Sequence, residues 1–328
     1  MKLIKKILPA AIAIGFAGAA QAQVSVYGLI DMSYGKNEFQ FVEDTKADFH
    51  SGGDKGSSEG NSTTRFGIKG STDVGSGVKA NFRLESNGIT SDGSVNDADS
   101  NPANGNSFFN RQAWLGFSGG FGEVRLGRQD SIPFQVMGQF DFNGQSNGVT
   151  TAYSGVSVWA TGRQSRSLQY ISPDMGGFKA HAGFVPKADR QEGVYSAALN
   201  YTAGAFVAGA SFESKRTTAG ENFASVAASY DFGAVKVMAG YTDGPGLYTD
   251  RAHTKGPTVG VVAPIAGFSV GGNYARDTEN DNRALLELFV NKEIFKSTYG
   301  YVEAGRVSSD DPTWDGTKSA SVGVIYVF

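Results

Sequence analysis

Apolar and polar residues alternate with a period of two along most of this chain. At the C-terminus Ala320, Val322, Val324, Tyr326 and Phe328 fall on one side, with Ser321 and Gly323 on the other. Val78, Ala80, Phe82 and Leu84 form an apolar row opposite Lys79, Asn81, Arg83 and Glu85. Phe66 and Ile68 oppose Arg65 and Lys69, and Ala180, Ala182 and Phe184 oppose Lys179, His181 and Gly183. Such alternation predicts half-buried β-strands. In a soluble sandwich one side of each strand would be core. Here the second side is repeatedly charged and glycine-rich, which suits a wall between an apolar medium and water.

The connections alternate as well. Short ones, rich in the glycine that tight hairpins need, are predicted at 73–77, 118–122, 174–177, 202–204, 231–233, 264–267 and near Phe295 and Lys296. Between them lie long polar loops at 35–61, 88–106, 131–162, 187–191, 214–221, 243–254, 277–282 and 308–316. Seven turns and eight loops join sixteen strands. The one stretch that could pass for a spanning helix, 258–272, contains Pro264 with Gly260, Gly267, Gly271 and Gly272, and reads as two strands around a turn. Any membrane crossing is therefore by strands, and lipid leaves no backbone group unpaired, so the sheet must close. The expected fold is all-β: a closed antiparallel 16-stranded transmembrane barrel with short periplasmic turns and long outer loops. Phe121, Phe178, Tyr201, Tyr230, Phe232, Phe268 and Phe328 gather beside the short turns, as an interfacial girdle would.

Composition agrees. Glycine makes up 45 of 328 residues, yet aromatics reach 12 %, which disordered chains lack. There is no cysteine, so neither a disulfide scaffold nor a thiolate metal site is possible. Lys2, Lys5 and Lys6 precede an apolar stretch at 7–20 and Ala20-Gln21-Ala22, the order of a secretory signal with cleavage after Ala22. At about fourteen residues the stretch is short against the ~20 needed to span a bilayer. Residues 23–328 then form one barrel domain, with 26 basic residues (29 less three lysines) against 32 acidic ones, a net −6. No basic tract suggests nucleic acid as a partner.

Several motifs together resemble the trimeric general porins of Gram-negative bacteria, particularly the beta-proteobacterial group. They are the opening strand Val24-Ser25-Val26-Tyr27-Gly28-Leu29-Ile30-Asp31, the segment Thr64-Arg65-Phe66-Gly67-Ile68-Lys69-Gly70, and Gly119-Gly120-Phe121-Gly122-Glu123-Val124-Arg125-Leu126-Gly127-Arg128. Leu168-Gln169-Tyr170-Ile171-Ser172-Pro173, Gly176-Gly177-Phe178 and the terminal Phe328 complete the set. The resemblance implies a homotrimer in the outer membrane, in contact with lipid and lipopolysaccharide. It implies a water-filled channel for passive diffusion of small hydrophilic solutes and ions, and a third loop folded into the barrel to narrow it. It also makes Phe328 the address read by the barrel-insertion machinery. Residues 131–162 would be that loop. They carry no lysine or arginine, are too long for an idle connection, and hold Phe134, Phe140, Phe142, Tyr153 and Trp159, which need cover.

Fixed charge at the narrowest point sets which ion enters a pore. By alternation Arg65, Lys69, Lys79, Arg83 and Arg125 face the lumen, and Arg163 is in phase with Ser165, Ser167 and Gln169. By resemblance Arg65, Arg111 and Arg163 correspond to the basic cluster of anion-preferring porins, with Asp141 the one acid of the third loop. Arg111 conflicts with this, because alternation puts it with Ala113, Leu115 and Phe117 on the lipid side. The expected function is an anion-preferring porin; a substrate-specific channel and a barrel hydrolase are the alternatives.

Other chemistry is weakly signalled. Gly144-Gln145-Ser146-Asn147-Gly148 matches a nucleophile elbow, followed by Asp174 and His181, but lies in a glycine-rich loop without the required strand and helix. Gly75-Ser76-Gly77 mimics a dinucleotide fingerprint, yet a strand follows it. Asp92, Asp97 and Asp99 offer oxygens that calcium favours, at a spacing that fits no known loop. With His50, His181 and His253 as the only histidines, no metal, cofactor or catalytic residue is expected.

Overall fold

The computed structural model describes residues 23–39, 46–95, 107–159, 162–187, 192–215, 220–245 and 253–328. The expected leader, 1–22, lies outside them, as do Asp97 and Asp99. The strands are β1 (Gln23–Asn37), β2 (Asp48–Ser51), β3 (Arg65–Gly75), β4 (Val78–Asn87), β5 (Gln112–Gly119) and β6 (Gly122–Asp130). After the third loop come β7 (Arg163–Ile171), β8 (Phe178–Val185), β9 (Val194–Ala203), β10 (Phe206–Glu213), β11 (Phe223–Asp231) and β12 (Lys236–Gly244). The last five are β13 (Thr254–Ile265), β14 (Phe268–Arg276), β15 (Ala284–Phe295), β16 (Thr298–Ser308) and β17 (Lys318–Val327).

All pair antiparallel in one sheet that closes on itself where β1 meets β17, in register from Leu29↔Val327 to Asn37↔Ser319. On its other edge β1 pairs with β3 over residues 23–29 and with β2 over 32–35. The short β2 therefore belongs to the first loop, and sixteen strands form the barrel. The stretch 258–272 is indeed two strands, β13 and β14, around Ala266 and Gly267. Among the described residues no helix is long and apolar enough to cross a membrane.

Each strand sends one row outward. Val24, Val26, Ile30, Met32 and Tyr34 of β1 are exposed, as are Val322, Val324 and Tyr326 of β17. Aromatic pairs Phe178–Tyr201, Tyr230–Phe232 and Tyr326–Phe328 stand outward at the short-turn end, where an amphipathic ring suits the boundary between lipid and water. Inward rows are polar, with Asp31, Ser33, Glu85, Gln169, Ser225, Asn273, Glu287 and Glu303 buried.

Two departures from alternation matter for the lumen. The second long loop runs to residue 111, so Arg111 precedes β5 and is not bound by the phase of Ala113 and Leu115. Between Gly127 and Gln129 the register of β6 and β7 shifts. Gly127 has φ 138°, and a Cβ there would sit 2.2 Å from the Ala113 carbonyl oxygen, so the bulge requires glycine. Across from it Arg166 takes φ 56°. The phase of β7 slips accordingly. Ser167 and Gln169 are buried inside, whereas Ser165 is exposed and Gln164 is buried on Glu213, so the expected run from Arg163 through Ser165 to Gln169 does not hold.

Candidate pore constriction

The third loop leaves β6 at Asp130 and returns at Arg163. It opens with a short helix, Ile132–Met137, whose N-terminus is capped by Ser131, its hydroxyl accepting from Phe134 N–H at 3.1 Å, with a proline in the first turn. Ile132, Val136, Met137, Phe140, Val158 and Trp159 pack on Ala198, Ala227 and Met238, which belong to the inner faces of β9, β11 and β12. Further along, Val149 and Tyr153 pack with Phe39, Leu285, Val307 and Trp314. The loop is therefore inside the barrel. Each large apolar side chain withdrawn from water in this way is worth about 2 kcal/mol, which is why so apolar a connection does not stay out among the outer loops.

Polar anchors finish the attachment. Ser225 donates to the carbonyl of Val158 at 2.8 Å, and Thr254 to that of Gly155 at 2.8 Å. Glu303 accepts from Asn143 and Ser146 of the loop, both at 2.9 Å, and from Asn61 of the first loop at 2.9 Å. The backbone N–H groups of Asn147 and Gly148 reach the carbonyls of Asn61 and Gly60 at 3.0 and 2.9 Å.

Facing this loop from β1, β3, β4 and the start of β5 is a basic cluster. Arg111 turns inward and pairs with Glu85, while its N–H donates to the Glu85 carbonyl at 3.1 Å. Arg83 meets the same carboxylate at 2.6 Å, and Tyr27 donates its hydroxyl to it at 2.6 Å. Arg163 lies 3.5 Å from Asp130. Arg65 donates to the hydroxyl of Ser62 at 3.2 Å and the carbonyl of Thr63 at 3.0 Å, within electrostatic reach of Arg111, Glu85 and Asp130. The conflict over Arg111 thus disappears without a bulge beneath it. Four guanidinium groups, of Arg65, Arg83, Arg111 and Arg163, share Glu85 and Asp130, with the buried Asp31 also within electrostatic reach of Arg65.

Asp141 is corrected. It is 6 % exposed, on the wall side of the loop, where Asn273 of β14 donates to it at 3.3 Å and its own carboxylate caps Asn143 N–H at 3.0 Å. It does not join the basic cluster. Since Asp141 is the only charged residue of 131–162, the loop brings no exposed charge to the opening. On the wall towards the short turns, Arg125 pairs with Glu123 at 2.6 Å and lies 4.7 Å from the centre of the Trp114 ring. Lys69 lies 4.9 Å from the centre of the Tyr27 ring, and Lys79 follows Arg83 on the same side of β4. Sequence reasoning placed Glu85 on the inner side but missed its part as the shared counter-ion. Its position in phase with Arg83 and Lys79 was the available signal.

The remaining motifs have structural partners. Ser146 is buried against Glu303, with no histidine at hand, and His181 meets Asn200 at 3.0 Å. Gly75, Ser76 and Gly77 form the β3–β4 turn, all with positive φ. Asp92 closes a turn through Thr90 and Ser94, whose hydrogen bonds, Thr90's foremost, hold its carboxyl down at about 2. Among the described residues no group of three His, Asp or Glu could hold a metal.

Comparison with known proteins points one way. The family model for Gram-negative porins matches residues 10–312. Outer membrane porin protein 32 of Delftia acidovorans is 29 % identical over 326 residues, covering 91 % of this chain and 85 % of that one. An outer membrane porin of Bordetella pertussis is 35 % identical over 192 residues, 55 % of this chain; the match spans about half of that relative, 47 % of its length. Among solved structures, the anion-selective porin from Comamonas acidovorans superposes with a TM-score of 0.72 at 21 % identity, over 94 % of this chain and 100 % of that one.

Proposed function

The chain belongs to the Gram-negative porin family and so to the outer membrane, and on that premise we propose that it is a passive channel for small hydrophilic solutes that prefers anions. What supports the preference is the charge of the inward cluster: Arg65, Arg83, Arg111 and Arg163 against Glu85, Asp130 and the buried Asp31, beside a loop that adds no exposed charge. Charges in a narrow passage with low-dielectric walls are poorly screened. At physiological salt the Debye length is about 8 Å, so acids on the outer loops act weakly there and the net −6 of residues 23–328 does not decide the matter. The similarity to an anion-selective porin supports the same reading. Sixteen strands leave room for an aqueous lumen, which argues against a barrel hydrolase. The test is single-channel conductance with the reversal potential in a potassium chloride gradient. A cation-selective sign at ordinary salt would overturn the constriction reading and leave family membership intact.

The assembly we propose is a homotrimer held in the outer leaflet by phosphorylated glycolipid. Arg276, Arg306 and Lys318, at the long-loop ends of β14, β16 and β17, point outward in phase with Tyr274, Val302 and Val322. Arg306 and Lys318 are register partners, and Arg276 donates to the neutral Asn282 at 3.0 Å. Lys318 has the Glu38 carboxylate beside it, accepting its backbone N–H at 3.1 Å, while cations at the edge of a lipid face attract anionic headgroups, and lipopolysaccharide phosphates supply them. Purified protein should migrate as a trimer unheated and at or below 34.5 kDa after boiling. It should carry phosphorylated glycolipid, which the triple change R276Q, R306Q and K318Q strips away. A monomer by light scattering in mild detergent, or a triple variant with undiminished glycolipid, would count against this assembly.

A further inference from the structure

The glycine-rich segment 144–148 plays no part in catalysis, yet it makes the densest set of hydrogen bonds in the third loop. The side chain of Asn147 accepts from the hydroxyl of Thr63 at 3.2 Å and donates to the carbonyls of Gly52 and Glu59, both at 3.3 Å. Its backbone N–H donates to Asn61 and its carbonyl accepts from Tyr153 at 2.7 Å. Everything it touches in the first loop lies within 52–63. That segment also holds Arg65, through the Ser62 hydroxyl and the Thr63 carbonyl. From behind, Asp31 of β1 accepts the N–H groups of Asn61 and Ser62 at 2.9 and 2.6 Å, and Tyr301 of β16 accepts that of Asn61 at 3.0 Å.

We propose that Asn147 is a positioning residue in the strap that ties the third loop to the segment presenting Arg65, so that the width of the pore and the placement of its basic cluster are set together. The strap has two ends. The N-terminal half of the loop is fastened to β9, β11 and β12 by apolar packing, and Gly155 and Val158 are fastened to β13 and β11 by Thr254 and Ser225. None of those anchors touches residues 52–65. Residues 143–148 join the loop to the stretch that supplies the acceptors of Arg65: Asn143, Ser146 and Gly148 reach Gly60 and Asn61, and the Asn147 side chain reaches Thr63. Loosening the loop elsewhere therefore alters its mobility alone, whereas loosening it at Asn147 also releases the Thr63 hydroxyl, and with it the residue whose carbonyl holds the guanidinium.

The inference rests on the proposed role of Arg65, and the experiment separates the two. Four channels are compared in planar bilayers under the same potassium chloride gradient: the unmodified protein, N147A, T254V and R65Q. R65Q should lower the chloride-to-potassium permeability ratio most. N147A should lower it by about two-fold, as the loss of a few hydrogen bonds allows the segment to wander, and should raise conductance noise. T254V removes the hydroxyl that holds Gly155, and should raise noise while leaving the reversal potential where it was. T63V, which removes the partner from the first-loop side, should shift the potential in the same direction as N147A. If R65Q leaves the reversal potential unmoved, the constriction reading fails and the strap with it. If R65Q moves it but N147A and T63V do not, or T254V moves it equally, the strap inference alone is overturned. Heat-modifiable trimers in all variants establish that the comparison is between folded channels.

Discussion

Changing Arg65 and Arg163 together to glutamine is expected to move the reversal potential in a salt gradient from the anion side towards the cation side. In the proposed constriction four cations face Glu85, Asp130 and the buried Asp31, and the double change leaves Arg83 and Arg111 against those carboxylates, so the positive surplus is gone. A unit charge about 8 Å from a permeating ion, at an effective dielectric constant near 40, contributes roughly 1 kcal/mol. Removing two shifts each ion by roughly 2 kcal/mol before screening, about thirty-fold and in opposite directions for chloride and potassium, so even with salt screening the chloride-to-potassium permeability ratio should fall at least about ten-fold. Lys69, Lys79 and Arg125 remain along the wall, so the channel should lose its preference without becoming strongly cation-selective. The single changes should differ in kind. Arg65 is held by a hydroxyl and a carbonyl, so R65Q removes charge with little strain on the fold. Arg163 lies 3.5 Å from Asp130, and R163Q removes that pair and leaves the carboxylate to Arg111 and Arg83. R163Q should thus lower the temperature at which the trimer dissociates, and R65Q should not. An unchanged reversal potential in the double variant, with trimers intact, would show that selectivity is set elsewhere.

Much of the barrel was legible because a strand with lipid on one side and water on the other can hardly avoid a period of two. The turns at 76–77, 120–121, 204–205 and 266–267 fall where the glycine signals put them, and the third loop begins and ends at the predicted residues. What failed to show was local geometry that alternation does not encode. Arg111 escaped because one residue decides whether it lies in β5 or before it. The slip in β7 depends on a bulge whose only trace is Gly127, one glycine among 45. Asp141 was assigned to the opening because it is the loop's only charge, yet which side of a loop faces water depends on packing against β14, 132 residues away. Glu303, which ties the third loop to the first, reaches partners 157 and 242 residues distant. No motif announces such a contact; only the closed barrel brings those residues together.

Deleting Phe328 is expected to remove most of the inserted trimer from the outer membrane while leaving the barrel able to fold in detergent. The residue sits at the seam where the sheet closes. Its N–H donates to the Gly28 carbonyl at 3.1 Å, and its own carbonyl accepts from Gly28 N–H at 3.0 Å. Its ring lies against Gly28, where a Cβ would come within 2.6 Å of the ring and 2.5 Å of the Arg65 carbonyl oxygen, so glycine is needed for the seam to close. The ring is nonetheless 47 % exposed on the lipid side, stacked on Tyr326. Two terminal hydrogen bonds are worth about 1 kcal/mol each, against a seam that retains nine register pairs from Leu29↔Val327 to Asn37↔Ser319. The stability lost is therefore small for a closed barrel. A large deficit in cells would then favour the proposed recognition of this exposed aromatic by the insertion machinery over a loss of barrel stability. On that proposal F328A should behave as the deletion does and F328W should restore insertion. G28A, which crowds the same seam while keeping the terminal ring, should impair refolding in detergent more than the deletion does. Normal amounts of inserted trimer from the deletion in cells would refute the addressing role. A refolding defect in detergent as severe as the cellular one would assign the residue to closure of the seam instead.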